Sequence, residues 1–76
     1  MVRLPLISGK AAIKAFYKVG FNVDNIKGDD AILINKNTNP PKIITIPLKN
    51  ELKKGTLRNA IKHSGLTKDE FINLLD

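Results

Sequence analysis

The chain has no cysteine and no tryptophan, a single histidine (His63), and aromatics limited to three phenylalanines and one tyrosine. Each shortage excludes a class of protein. Without thiols there is no disulfide framework, no thiolate zinc site and no cysteine nucleophile. One histidine cannot build a His-rich metal cluster. No apolar run approaches the roughly 20 residues that span a bilayer. The opening Met1-Val2-Arg3-Leu4-Pro5-Leu6-Ile7 is too short for a signal peptide and lacks a cleavage site. A soluble cytoplasmic protein with no membrane partner is the expectation. Arginine is also scarce, at Arg3 and Arg58 only, so lysine supplies most of the positive charge.

What is present is small and basic. The chain has 76 residues and a mass of 8.4 kDa, which predicts one domain over 1–76. A chain of this size buries only about 60% of the surface its unfolded form exposes, which leaves little room for a deep internal cavity. Any site is a surface groove or an edge. Thirteen Lys and Arg against seven Asp and Glu leave a net charge of +6. That balance suits nucleic acid or another polyanion.

The hydrophobic pattern predicts α-β-β-β-α-α. Ser8 is a good N-cap, and Ile13, Phe16, Tyr17 and Gly20 fall on one helical stripe, with Gly20 as the terminator. The first helix is therefore expected over about 9–19, with Phe16 and Tyr17 in the core. Lys10, Lys14 and Lys18 form a second stripe, read as a solubilising face or as an extension of a basic patch. A strand starts at Phe21-Asn22-Val23-Asp24, and Gly28-Asp29-Asp30 is a turn. Ala31–Ile34 and Lys42–Ile46 are two more strands, separated by the turn-rich Asn35–Pro41 and stopped by Pro47. Their short connections require an antiparallel meander, since a parallel crossover needs a dozen or more residues. Leu48–Lys54 reads as a polar, basic connection. Leu57, Ala60 and Ile61 give the buried face of a second helix that ends at Ser64-Gly65. Thr67-Lys68-Asp69-Glu70 is a capping box before a short third helix with Phe71, Ile72, Leu74 and Leu75. Two apolar helix stripes over one sheet face predict a two-layer α+β sandwich.

Several stretches together resemble the HicA toxins, also described as YcfA-like proteins. They are Ser8-Gly9-Lys10, Gly20-Phe21, Lys27-Gly28 before a polar pair, Ile46-Pro47-Leu48 and, most specific, Glu51-Leu52-Lys53-Lys54-Gly55-Thr56-Leu57-Arg58. Ala60-Ile61, Gly65-Leu66 and Phe71 complete the pattern, which runs from about Ser8 to Leu75. The resemblance implies a double-stranded-RNA-binding-domain-like fold and an mRNA interferase. It implies a metal-independent endoribonuclease without cofactor, held in check by a HicB-like antitoxin in a type II toxin–antitoxin pair. It also implies a catalytic histidine in a Gly-Ser-His type motif at the start of the second strand. Here that motif reads Gly28-Asp29-Asp30, with Asp30 at the histidine position.

The departure has chemical consequences. Metal-free RNA cleavage needs a base for the 2′-hydroxyl and an acid for the leaving oxygen, and histidine populates both forms near neutrality. A carboxylate is a poor base there and repels the incoming phosphates. Loss of acid–base catalysis costs about 10²–10⁴-fold, so a slow or dead nuclease is expected. One reading is that Asp30 was introduced because an active toxin is hard to express, and three readings of the pair as it stands remain open beside it. It is ordinary turn chemistry, or a buried Asp30 shares a proton with Asp29, or the two carboxylates bind Mg²⁺. His63 lies far along the chain and suits a helix C-terminus.

Lys53-Lys54-Gly55-Thr56 opens the second helix, where free N–H groups and the dipole meet, and Gly55 admits a phosphate. Lys27, Gly28, Asp29 and Lys49 complete the expected RNA-contact set. Thr56 is read as a cap or a donor. Such contacts give salt-sensitive affinity and little sequence choice. A non-catalytic RNA-binding module on the same fold is the alternative, as is a remnant that only binds an antitoxin.

Overall fold

A computed structural model describes residues 4–75. The elements run α1 (Gly9–Tyr17), β1 (Asn22–Lys27), β2 (Asp30–Asn35), β3 (Lys42–Pro47), α2 (Lys54–Ser64) and α3 (Lys68–Asn73). The sheet is antiparallel in the order β1-β2-β3. This is the α+β sandwich expected from the hydrophobic pattern.

Ser8 caps α1 by accepting from the Ala11 N–H at 3.1 Å. The buried residues of α1 are Gly9, Ala12, Ala15 and Phe16. Tyr17, expected in the core, is 50% exposed. The small residues explain the difference. Gly9 lies so close to the Pro47 carbonyl that any Cβ would overlap it. The helix therefore docks on its Gly–Ala side and rolls Tyr17 outward. It also ends two residues early, at Tyr17, and the chain turns through Gly20 at φ 103°.

β1 runs to Lys27, as far as the Gly28 turn allows, and carries a bulge between Val23 and Asn25. The β1–β2 loop is just Gly28-Asp29, because Lys27 pairs with Asp30. Gly28 has φ 60° and no non-glycine described residue has positive φ, which is the pattern of a type II′ hairpin turn. Asp30 is thus the first residue of β2 rather than part of the turn.

Alternation along β2 buries Ala31, Leu33 and Asn35 under the helices and turns Asp30, Ile32 and Ile34 to the uncovered face. β3 matches it, with Ile44 and Ile46 inward and Ile43 and Thr45 outward. From α2, Leu57, Ala60, Ile61 and Ser64 close the core, and Gly65 at φ 84° ends the helix. Leu52, inside the segment read as a polar connection, is 2% exposed and belongs to that core. Its N–H donates to the Ile7 carbonyl at 2.8 Å.

The two ends of the sheet are built differently. At one end Phe16 meets Phe21 edge-on (5.6 Å between centroids) and Phe71 at a tilt (5.0 Å). Such pairs add about 0.5–1.5 kcal/mol beyond their buried area. Lys18 Nζ donates to the Leu74 carbonyl there, fastening α1 to the end of α3. Buried Asn35 donates to the Val19 carbonyl and accepts from the Asn37 N–H, holding the loop after β2. The opposite end carries the β1–β2 turn, the exit of β3 and the starts of α1 and α2.

Candidate functional site

Backbone hydrogen bonds stitch that second end together. The Leu48 N–H donates to the Asp29 carbonyl at 2.6 Å, tying the Gly28-Asp29 turn to the segment after β3. The Gly9 N–H donates to the Lys49 carbonyl at 2.8 Å. With the Leu52–Ile7 bond, this places the turn, residues 47–49, the start of α1 and the start of α2 side by side. Lys27, Gly28, Asp29, Asp30, Lys49, Lys53, Lys54 and Gly55 all lie on this end, and all are exposed. The sequence-predicted site residues, scattered over thirty positions, thus share one end of the sheet.

The start of α2 is chemically open. Its N-cap is Lys53, with extended backbone and no side-chain cap. Thr56, read as a cap or a donor from sequence, sits inside the first turn and half-buried, three residues too late for the cap. No acidic residue lies in the first turn. The first N–H groups of a helix have no intrahelical acceptors and carry partial positive charge. Lysines at that position add to the charge instead of offsetting it.

Asp30 stands on the uncovered face between Lys27 of β1 and Pro47 of β3. Asp29 and Asp30 are both exposed, so the fold does not provide the buried carboxylate pair that proton sharing requires. No group of three or more His, Asp and Glu gathers in metal-binding fashion among the described residues. His63 lies in the last turn of α2, toward the opposite end from Gly28. It lines a groove with Ile43, Thr45 and Asn59, a feature that residue-by-residue reading of the sequence missed. Lys18, placed by its spacing on a stripe with Lys10, is engaged with the end of α3 and does not extend the basic surface toward α2.

A small α+β sandwich with an exposed, lysine-bearing end is the class these features define. Residues 9–66 match the family described as HicA toxin of bacterial toxin–antitoxin systems. The chain belongs to that family. Membership implies an antitoxin as partner. No curated protein gives a significant match to the chain. No helix among the described residues is long and apolar enough to cross a membrane.

Proposed function

We propose that this single-domain chain is the RNA-binding toxin component of a type II toxin–antitoxin pair, acting in the cytoplasm and covered by a HicB-like antitoxin. One observation supports the reading most. The uncapped, lysine-bearing start of α2 lies on the same end of the sheet as the Gly28-Asp29 turn. A phosphate backbone laid across that end meets Lys53 and Lys54, the free N–H groups at Gly55, and Lys49 and Lys27 alongside. The absence of a side chain at Gly55, with nothing within 4 Å of where a Cβ would sit, leaves room for close approach.

The cleavage step is slow or absent on this reading. Asp30 occupies the position where the family resemblance expects histidine, and the one histidine of the chain lies in the last turn of α2. A solvated carboxylate neither accepts a 2′-hydroxyl proton well near neutrality nor donates one to the leaving oxygen. The same observation favours a second reading, a non-catalytic RNA-binding module that keeps the scaffold and the antitoxin contact.

Induced expression of the natural chain and of Asp30→His, with growth and mRNA integrity followed, tests both. Cleavage by Asp30→His alone supports a disarmed toxin scaffold. RNA binding without cleavage by either supports the module. Failure of either protein to bind RNA at low salt removes the proposal.

A further inference from the structure

The sheet has two edges, and they differ. β1 is interrupted by its bulge between Val23 and Asn25, which spoils it as a pairing template. β3 is regular. The Leu48–Asp29 hydrogen bond fixes which β3 groups face β2. By the alternation of an antiparallel ladder, residues 42, 44 and 46 bond to β2, and positions 43, 45 and 47 turn their backbone outward. Position 47 is proline, and so is position 41, just before the strand. Neither has an N–H to donate. The free edge is therefore a window of two donors, Ile43 and Thr45, with carbonyls between and beside them. Prolines at both limits prevent an extended ladder and leave room for one short strand in one register.

That window opens on a groove of about 360 Å³ between β3 and α2. On the α2 side the groove presents Thr56, Asn59 and His63, all polar and able to donate. On the uncovered sheet face, Ile43 is 56% exposed and lies opposite Ile34. A strand added here would thus place alternate side chains against donors and against isoleucines. Lysines stand at both ends of the groove. Lys42 reaches Gly65 at the end of α2, and Lys53 and Lys54 lie at its start. A second copy of the chain would bring another +6 to the same edge.

We infer that the β3 edge binds an extended acidic segment of a partner protein as a fourth strand, with acidic residues toward α2 and β-branched residues toward Ile43. This is strand addition, in which main-chain bonds give affinity and alternate side chains give specificity. It does not depend on the proposed RNA contacts.

The test is amide-resolved NMR of the ¹⁵N-labelled chain, titrated with the capped peptide Glu-Val-Glu-Val-Glu-Val-Glu. The expected result is at least tenfold slower hydrogen exchange at Ile43 and Thr45, with saturable shifts there and at His63. A peptide with lysine in place of glutamate should not bind. Thr45→Pro removes one outward donor and no ladder bond, so it should abolish binding in a folded protein. The same peptide N-methylated at alternate residues should also fail, which tests the mode without altering the protein. Unchanged exchange at Ile43 and Thr45 at millimolar peptide would overturn the proposal. So would equal binding of the N-methylated peptide, or protection of both amides by raising protein concentration alone, which would assign the edge to a second copy.

Discussion

α2 and α3 begin in opposite ways. Thr67 caps α3 by accepting from the Glu70 N–H at 3.1 Å, Glu70 returns to the Thr67 N–H at 2.9 Å, and Asp69 and Glu70 suit the helix dipole. This follows the rules that stabilise helices. α2 breaks them, with lysine at N-cap, lysine again at the first helical position and no acidic residue in the first turn. A six-residue helix with an ideal start packs at the aromatic end, where its task is to bury Phe71. An eleven-residue helix with a costly start opens the end that gathers the family-like motifs. The contrast separates what the fold needs from what the proposed site needs. The unmet N–H groups and added positive charge of α2 are a liability for folding and an asset for an anion.

The largest effect expected at the open end is chemical. Asp30→His should raise RNA cleavage by about 10²–10⁴-fold over the natural chain, read by the decay of a labelled RNA. No increase would show that this end lacks more than one group. At the packed end the largest effect is on stability. Phe16→Ala should cost roughly 3–5 kcal/mol in denaturant unfolding, because it removes the ring between Phe21 and Phe71. A loss under about 1 kcal/mol would mean that the aromatic end does not anchor the fold.

The two helix starts predict smaller changes of opposite sign. Thr67→Ala should lose about 1 kcal/mol, the usual value of a cap. Lys53→Ser should gain a similar amount, since position 53 already has the extended backbone of an N-cap. The same substitution should weaken RNA binding, whereas Thr67→Ala should leave it unchanged. Stability gained together with affinity kept would break the comparison.

Much of this architecture was legible in the sequence for identifiable reasons. Ser8, Gly65 and the Thr67–Glu70 box act through local backbone chemistry, so they marked their helix ends well, whereas Gly20 marked the turn after α1 and not the end of the helix. Gly28 marked its turn for the same reason, although the turn proved to be two residues long and Asp30 joined the strand. Tyr17 misled because periodicity does not say which side of an apolar stripe docks, and the choice rested on Gly9 meeting Pro47. Leu52 was hidden in a charged segment, where only its tertiary bond to Ile7 reveals it. The convergence of Lys27, Lys49 and Lys53 on one end depends on strand register and on the Leu48–Asp29 bond. Pro41 and Pro47 were legible only as loop and strand stop; the register is what places positions 43, 45 and 47 on the outward edge.

The central claim is that the start of α2 holds RNA phosphates. It is tested most directly by titrating a short labelled single-stranded RNA at several salt concentrations, with the natural chain and with the Lys53→Ala/Lys54→Ala pair. If both lysines neutralise phosphates, the pair should bind more weakly at low salt. Its slope of log affinity against log salt should be shallower by about 1.4, at roughly 0.7 per contact on a single strand. Equal affinity and equal slope for the two proteins would contradict the account.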